Sequence, residues 1–501
     1  MKYLKKYFIF VVIFFIGLIY FLYLPVSYNF DGTVYSYFLR YSIIKKDYIS
    51  KIHPHHLLYH PLAVGTYKAL VSISKVPFLE YFHLQILSLL FGLLTLIFIY
   101  KIILYSTSKY FISIAGVLLI AFSYAFWLFS VEAEIHIPGL FFIVSGIFFL
   151  FFQDKSNKYL MSAILFSLSA GFHLTNILIL ASVLFVFFVR KTKIKEALIF
   201  LGVYSVSIFI QYFLYSILSK TNLISFFKNV LFGKDPFAGY RISYWEPFSI
   251  KTLFLSINSI KNAIFEGTNP FISSILFLTL LIFTTFGILK RDFKFKIDCF
   301  LFWMLPYFLF FSFWETRNIE FKLNIVTPLL ILFVISISNL ERRSLLIISF
   351  IIILTFINNF YFGIKPKTEI QNNRNFLLAE SIREKTNEGS IIVIAGNNSG
   401  YMYGKIYIPY FAMRNTWILD WILGRGFTLY DLKEQIRGTI LRGKKIFFLS
   451  ELTYMSDSVR ELIKTHKLSQ KDYKDFLNHL KFGRRIELLD GFYLLEVEKV
   501  L

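Results

Sequence analysis

The sequence predicts a polytopic α-helical membrane protein of about 11 transmembrane helices, followed by a C-terminal soluble α/β domain. Hydrophobic residues occupy 56% of the 501 positions, and 62 residues are phenylalanine. Charged residues make up only 17% of the chain, whereas about 25% is usual for soluble globular domains. This composition excludes an ordinary soluble enzyme and favours an integral membrane protein.

The apolar segments define the predicted spans, each of which needs about 20 residues to cross a bilayer. They lie near 7–24, 84–104, 110–129, 137–153, 159–172, 174–190, 197–218, 270–289, 297–313, 321–339 and 344–363. No small-residue cleavage site follows the first segment, so we expect a retained signal anchor. The fifth and sixth are short and have basic residues at both ends, which predicts a hairpin with the tip "GFHLTN".

The basic residues predict the orientation of these spans. They collect in alternate loops, at Lys2/Lys5/Lys6, Lys101/Lys109, Lys155/Lys158, Arg190–Lys195, Lys290–Lys296 and Arg342/Arg343. The positive-inside rule makes this face cytoplasmic, so the loops at 25–80, 130–138, 219–268 and 314–322 are expected outside. Cytoplasmic loops also account for the net charge of +22 without nucleic-acid binding. A single cysteine, Cys299, excludes internal disulfides.

The composition changes at about residue 365, where charges become regular and apolar runs shorten. We predict a small α/β domain over 365–501, because strand patterns alternate there with helix patterns. The predicted strands are "SIIVIAG", "KIYIPYFA" and "KKIFFLS", and the predicted helices are "RNFLLAESIREK" and "DSVRELIKTH". Eleven spans place this domain outside. "GNNSG" at 396–400 lacks a phosphate-loop pattern and predicts no nucleotide site.

The first external loop contains two predicted amphipathic helices and one acidic residue at membrane depth, Asp31. A carboxylate in that position is costly unless it is paired or used. Asp31 also precedes the helix pattern "GTVYSYFLR", so a helix N-cap is an equal alternative.

The same loop contains "HPHHLLYHP", with four of the nine histidines. His56 and His60 have the i, i+4 spacing of metal ligands, but Pro54 and Pro61 limit helix around them. We therefore expect no metal or other cofactor, with a divalent cation as the weaker alternative.

Two further external segments combine titratable groups with apolar helices. "SVEAEIHIP" carries Glu132, Glu134 and His136, which predict either a functional cluster or ordinary interface polarity. The pairing of Glu134 with His136 stays open, because a strand and a helix would orient them differently. The hairpin tip adds His173 and Asn176, which a purely structural role would also explain.

The loop "WETRNIEFK" at 314–322 offers cations for a phosphate. Arg317 and Lys322 are the candidates, and an arginine suits bidentate contact with phosphate oxygens. Snorkelling of long basic side chains at span ends is the alternative.

Four of these stretches together resemble GT-C type membrane glycosyltransferases, in particular the protein O-mannosyltransferase-like superfamily. They are the run "AFSYAFWLFSVEAEIHIPGLFFIVSGIFFLF" at 121–151, "HPHHLLYHP", "GFHLTNILIL" and "WETRNIEFK". Glu134 matches the acidic residue of the family's second external segment, and Asp31 matches that of the first loop. The similarity covers about residues 1–190 in order and spacing.

The resemblance implies an inverting transfer of a sugar from a polyprenyl-phosphate donor on the extracytoplasmic face. It implies Asp31 as general base, with Glu134 or Glu132 as second acid. Candidate substrate-binding residues are His55, His56, His136, His173 and Asn176, and candidate donor-phosphate residues are Arg241, Arg317 and Lys322. Expected partners are the lipid donor, membrane lipids and an unknown acceptor.

Two other functions remain possible from the sequence. A transporter or flippase of lipid-linked saccharides would predict inverted repeats, and the sequence has none that we detect. An inactive membrane scaffold with an external binding domain is the other alternative.

Overall fold

The computed structural model describes residues 2–74, 79–153, 156–220, 222, 245–267, 269–289, 297–338, 342–396 and 400–501. The predicted phosphate ligand Arg241 lies outside the described residues. The chain divides into two compact units. The first unit comprises Met1–Pro25, Leu39–Phe226 and Tyr244–Thr368, and the second comprises Val26–Phe38, Phe227–Ser243 and Glu369–Leu501.

Helices build the membrane part of the chain. In order they are α1 Lys2–Leu22, α2 Phe30–Lys45, α3 Tyr59–Ser74, α4 Glu80–Thr107, α5 Tyr110–Ala121, α6 Tyr124–Val131, α7 His136–Phe152, α8 Lys158–Phe172, α9 Leu178–Val189, α10 Ile194–Ser219, α11 Ile250–Ile264, α12 Pro270–Leu289, α13 Ile297–Phe311, α14 Leu323–Ile337 and α15 Arg342–Asn359. Short 3₁₀ turns at Leu174–Ile177 and Glu320–Lys322 precede α9 and α14.

Five of the described helices are long and apolar enough to cross a membrane, or six if one bent pair counts as a single span. The other predicted spans coincide with shorter apolar helices, at Tyr7–Leu22, His136–Phe152, Lys158–Phe172, Leu174–Val189 and Ile297–Phe311. The chain is therefore an integral membrane protein with a mainly helical membrane part, and the count of 11 spans stays a prediction.

The predicted span at 110–129 corresponds to two helices, because α5 and α6 meet at a bend of 68°. The break falls at Phe122–Ser123, where Ser123 takes an extended conformation with ψ of 140°. The carbonyl of Phe122 accepts a hydrogen bond from Asn359 Nδ2 at 2.7 Å, so the break leaves this carbonyl satisfied. After the bend, Glu132 and Glu134 lie buried inside the first unit.

The second unit contains a five-stranded sheet in the order β2-β1-β3-β5-β4. Its strands are β1 Ile391–Ile394, β2 Asn415–Ile418, β3 Ile446–Leu449, β4 Leu480–Glu487 and β5 Tyr493–Val500. The first three are parallel, whereas β5 pairs antiparallel with β3 and β4. Its helices are α16 Arg374–Lys385, α17 Gly404–Tyr407, α18 Leu419–Gly424, α19 Leu429–Leu441, α20 Asp457–Thr465 and α21 Gln470–Asn478.

The predicted strand "KIYIPYFA" at 405–412 is wrong. The segment is helical, with α17 followed by a π turn at Ile408–Ala412, and the second strand begins at Asn415. Pro409 has no N–H for a sheet ladder, which disfavours a strand at this position. The run is also buried at both odd and even positions, as in Tyr407 and Ile408, so its hydrophobicity does not indicate strand alternation.

Candidate functional site

Three side chains from two loops of the first unit converge at the centre of the candidate site. Glu134, His136 and Glu320 each offer a ligand atom, and these atoms lie within 4.8 Å of one another. His136 Nε2 is 3.7 Å from Glu320 Oε1. Glu134 is only 1% exposed, and the His136 and Glu320 side chains are 11% and 13% exposed. Carboxylate and imidazole groups at this spacing can hold a divalent cation.

The turn before α7 brings the side chains of Glu134 and His136 together. Their pairing could not be deduced from the sequence. Ser88 of α4 fixes this turn, because its Oγ donates to the Glu134 carbonyl at 3.1 Å and accepts from the Glu134 N–H at 3.3 Å. The Ile135 N–H also donates to Glu134 Oε2 at 3.4 Å. The backbone between Glu134 and His136 is thus neither strand nor helix.

A row of histidine rings leads to this centre. The ring centroids are 5.1 Å apart for His55 and His53, 5.0 Å for His53 and His56, 4.8 Å for His56 and His173, and 4.9 Å for His173 and His136. Of the predicted substrate-binding residues, the structure thus brings His55, His56, His173 and His136 into one continuous surface. We call His53, His55, His56, His173 and His136 the histidine row.

Backbone hydrogen bonds hold the histidine loop, residues 53–61, against the hairpin tip, residues 171–176. Leu58 N–H donates to the Gly171 carbonyl at 3.0 Å, and Leu174 N–H donates to the His55 carbonyl at 3.0 Å. The approach is close at Gly171, where a Cβ would lie 2.1 Å from Gln211 Oε1 and 2.7 Å from the Leu58 side chain, so a larger residue would have to displace these side chains. The loop and the tip therefore dock through main-chain contacts.

Burial keeps the inner histidines neutral near pH 7. It lowers the pKa of His53 to about 4, with His55 adding to the effect. Burial also lowers the pKa of His56 and His173 far below the ordinary value, and neighbouring histidines add to this. His173 Nδ1 accepts from the Thr175 N–H at 3.2 Å, which favours a proton on Nε2. A neutral imidazole can both donate and accept a hydrogen bond.

Three other candidates have partners within the helical unit. Glu132 accepts a 2.5 Å hydrogen bond from the Tyr81 hydroxyl and is 2% exposed. Asn176 donates to the Ser169 carbonyl at 3.1 Å and accepts from Asn324 Nδ2 at 3.2 Å. His60 Nε2 lies 3.0 Å from Ser42 Oγ. These contacts join helices, whatever further role the residues have.

The predicted phosphate ligands lie in different environments. Lys322 is fully buried, and its Nζ donates to the Phe311 carbonyl at 2.6 Å, whereas Arg317 is exposed. Between them and α13 lies Glu315, whose pKa is raised by burial and by the like charges of Glu320 and Glu246. This loop therefore carries a carboxylate that binds protons more readily than an exposed one.

Asp31 belongs to the second unit, in the first turn of α2. The side chain of Asn29 caps this helix, since its Oδ1 accepts from the Gly32 N–H at 2.8 Å. The alternative in which Asp31 serves as the N-cap is thus wrong. Asp31 is exposed. The pKa of Tyr403 is raised mainly by the burial of Tyr403 and secondly by the charge of Asp31.

Sequence reasoning left two residues out of the centre. Glu320 stands among several charged residues of one loop, and no periodicity distinguishes it from Glu315. Tyr59 lies at the start of α3 and is 2% exposed. Its burial is the main cause that raises its pKa, and the charge of Glu134 is the second. Its position inside the histidine stretch was the available signal.

Comparison with known proteins identifies the fold. No protein-family model matches the sequence, and no curated protein matches it. Among solved structures, ArnT from Cupriavidus metallidurans matches in the apo state with a TM-score of 0.65 and 9% identity, over 97% of both chains. The same protein bound to undecaprenyl phosphate matches with a TM-score of 0.67 and 8% identity, over 98% of this chain and 97% of that one.

An oligosaccharyltransferase from Archaeoglobus fulgidus, solved in complex with Zn and sulfate, gives a third match. Its TM-score is 0.51 at 13% identity, over 95% of this chain and 71% of that chain. Identities this low establish the architecture alone. The predicted GT-C fold is confirmed, while the predicted number of spans is not tested: the chain has the fold of the GT-C type membrane glycosyltransferases.

Proposed function

We propose that the protein is a membrane glycosyltransferase that moves a hexosyl or pentosyl group from a polyprenyl-phosphate donor to an acceptor hydroxyl. The observation that carries this proposal is the buried centre of Glu134, His136 and Glu320 at the end of the histidine row, in a chain with the GT-C fold. The ArnT match with bound undecaprenyl phosphate supports the class of donor. The acceptor is a protein, lipid or glycan.

The proposed reaction is a single displacement that inverts the anomeric centre. Asp31 is the proposed base and takes the proton from the acceptor hydroxyl. The acceptor oxygen attacks the anomeric carbon while the bond to the phosphate oxygen breaks, and polyprenyl phosphate leaves with both electrons. Glu134 is the proposed second acid beside the developing positive charge of the sugar, with Glu132 as the alternative.

Substrate binding is divided between uncharged and cationic groups in this proposal. Histidines of the row and Asn176 bind sugar hydroxyls, because neutral imidazole and amide groups donate and accept. Arg317 and Lys322, together with Arg241, are the proposed partners of the donor phosphate.

A divalent cation is also part of the proposal, although the sequence alone led us to expect none. Glu134, His136 and Glu320 would hold it, and their donor set suits zinc or manganese. When bound, the cation would neutralise negative charge in the site.

The extracytoplasmic position of the site is likewise proposed, from the distribution of basic residues. The histidine loop, the turn before α7 and the loop at 314–322 all follow or precede apolar helices on the face opposite the basic loops. The polyprenyl chain of the donor would lie in the membrane, and its sugar phosphate would enter the site from the bilayer on this face.

The test is release of polyprenyl phosphate from polyprenyl-phosphate sugars by the purified protein in vesicles, followed by mass spectrometry. We expect release by the parent, and a loss of about 100-fold or more in Asp31→Asn and Glu134→Gln. Glu388→Gln, on the surface of the second unit, is the matched control and should retain full activity.

Other outcomes would separate the alternatives. Movement of intact donor across the vesicle, without release of polyprenyl phosphate, would establish a flippase instead. Release at the parent rate by Asp31→Asn would remove Asp31 from the role of base. A donor that reacts only when supplied on the cytoplasmic side would reverse the proposed orientation.

A further inference from the structure

One buried face of α4 carries three polar side chains. Tyr81, Gln85 and Ser88 have the i, i+4 and i+7 spacing that places residues on one side of a helix, and they are 0%, 4% and 0% exposed. Because α4 is long and apolar enough to cross a membrane, each of these buried polar groups needs a hydrogen-bond partner. Gln85 Nε2 donates to the Pro25 carbonyl at 2.8 Å.

The other two side chains of this face contact the acidic segment between α6 and α7, and they do so in different ways. The Tyr81 hydroxyl donates to the carboxylate of Glu132 at 2.5 Å. Ser88 binds the main chain of Glu134, since its Oγ donates to the Glu134 carbonyl at 3.1 Å and accepts from the Glu134 N–H at 3.3 Å. The same helix therefore holds one acidic residue by its side chain and the other by its backbone.

This difference decides which carboxylate lies at the candidate centre. Both hydrogen bonds from Ser88 go to peptide groups, so they occupy no oxygen of the Glu134 carboxylate. That carboxylate lies within 4.8 Å of ligand atoms of His136 and Glu320. The Glu132 carboxylate accepts from a phenol in a short bond of the kind that ionised acceptors form. Among the described residues, the group of possible metal ligands includes Glu134 and does not include Glu132.

The backbone of Glu134 needs a partner from outside its own segment. Helix α6 ends at Val131 and α7 begins at His136, so regular secondary structure does not pair the peptide groups between them. Glu134 is 1% exposed, and buried N–H and C=O groups must be hydrogen-bonded. Ser88 serves both groups of this one residue with a single hydroxyl, which fixes the backbone on both sides of the Glu134 side chain.

We propose that Ser88 is a positioning residue of the candidate centre, which directs the Glu134 carboxylate towards His136 and Glu320. The inference rests on the proposed function and deepens it, because it selects Glu134 over the alternative Glu132 as the carboxylate that serves the site. Ser88 acts through Glu134 and contacts neither the sugar nor a cation. Residues that orient a ligand or a reacting group from behind often affect affinity and rate by about 10-fold or more.

Tyr81 completes this division of roles. It stands two turns before Ser88 on the same face of α4, and its hydroxyl retains the Glu132 carboxylate next to α4. Two acidic residues that are only two positions apart thus have separate partners on one helix. Glu134 serves the centre, and Glu132 joins the acidic segment to α4.

The test compares Ser88→Ala with a matched control, Ser130→Ala, in the full-length protein. Ser130 is 0% exposed and lies against α4, where a Cβ at Gly92 would be 2.6 Å from Ser130 Oγ. Within the described part of the chain, Ser130 Oγ has no hydrogen-bond partner. Both variants therefore lose one buried hydroxyl beside the same helix, and only Ser88→Ala loses the contacts to the backbone of Glu134.

Zinc affinity and the rate of the proposed reaction are the two readouts. Competition with a fluorescent chelator should show zinc binding that is weaker by about 10-fold or more in Ser88→Ala and within about 2-fold of the parent in Ser130→Ala. Release of undecaprenyl phosphate from undecaprenyl-phosphate hexoses and pentoses should show kcat lower by about 10-fold in Ser88→Ala, with KM within about 2-fold. The reason is that the position of the carboxylate changes and the contacts to the donor do not.

The carboxylates themselves give a second comparison. Glu134→Gln should weaken zinc binding by about 10-fold or more relative to Glu132→Gln, because Glu134 alone of the two belongs to the centre. Equal losses in the two variants would overturn the division of roles between Ser88 and Tyr81.

The remaining outcomes separate this inference from the proposed function. If Ser88→Ala and Ser130→Ala have the same zinc affinity and the same kcat, the proposal for Ser88 is wrong and the proposed function stands. A lower unfolding temperature of Ser88→Ala with neither of these changes would show a purely structural serine and would also overturn the proposal. If the parent releases undecaprenyl phosphate without binding zinc, the kcat comparison decides by the same criterion. A parent that does neither would contradict the proposed function, and the inference with it.

Discussion

Single residues of the candidate site differ mainly in which groups their side chains contact. Glu132 and Glu134 are both buried and two positions apart, yet Glu132 has the Tyr81 hydroxyl as partner while Glu134 faces His136 and Glu320. The sequence could not separate them, because this difference arises from the turn before α7. Burial by itself therefore does not show which of the two carboxylates belongs to the centre.

Metal content tests the centre at this scale. His136→Asn and Glu320→Gln should each lower the zinc or manganese retained by the purified protein by about 10-fold or more, since each removes one of three protein ligands. Inductively coupled plasma mass spectrometry measures the content, and thermal unfolding with added metal measures binding. Glu315→Gln, in the same loop, is the control. Parent protein that binds no divalent metal would remove the cation from the proposal.

Stability should depend on pH through His60. Burial lowers its pKa in the folded protein to about 4, whereas about 6.5 is expected in the unfolded chain. The unfolded chain therefore takes up this proton first as the pH falls, and stability present above pH 6.5 is lost towards pH 4. The loss between pH 7.5 and pH 5 should be about 2 kcal/mol from this residue.

His60→Gln checks this prediction, because glutamine can retain the hydrogen bond to Ser42 and does not titrate. Chemical unfolding at pH 7.5 and pH 5 should show a smaller difference in the variant than in the parent. An equal pH dependence in both proteins would contradict the assignment. His479→Gln, exposed in the second unit, serves as the control.

At the scale of elements, the bend between α5 and α6 determines where the acidic segment lies. A straight helix from Tyr110 would continue in one direction. The 68° bend instead turns the chain, and the segment after Val131 lies among buried residues. The sequence showed one apolar run there, and hydropathy contains no information on direction. Asn359, which is distant in sequence, hydrogen-bonds to the carbonyl of Phe122 at the bend.

Asn359→Ala should destabilise the first unit. Asn359 Nδ2 donates to the carbonyls of Phe122 and Ile264, at 2.7 and 2.8 Å, and both would lose a buried donor. We expect a loss of about 1–3 kcal/mol, measured as a lower unfolding temperature in detergent. Asn372→Ala, in an exposed turn, should have no such effect. Unchanged unfolding of Asn359→Ala would show that the bend is fixed by packing alone.

For the whole molecule, the sequence predicted the class of fold and most helices correctly. The apolar runs mark helices directly, because a chain in lipid must satisfy its backbone within each segment. The strand prediction at 405–412 failed because buried residues of a compact unit are apolar in any secondary structure. The grouping of 26–38 with the C-terminal residues was not visible, since sequence patterns do not report contacts between distant segments.

The sequence singled out most of the residues that lie together in the candidate site, and their roles stay predictions. Glu134, His136, His173 and the loop histidines were singled out because polar residues next to spans are rare. Glu320 was not, and neither was the order of the rings along the row. Both follow from how three loops pack, which short-range spacing cannot specify.

The docking of the histidine loop on the hairpin tip has a consequence for how such a protein can change. Both bonds, from Leu58 to Gly171 and from Leu174 to His55, join main-chain atoms. Side chains at 53, 55 and 56 can therefore be exchanged while these two bonds persist. Substitution at these positions would therefore change the side chains of the histidine row and leave its main-chain attachment to the hairpin tip in place.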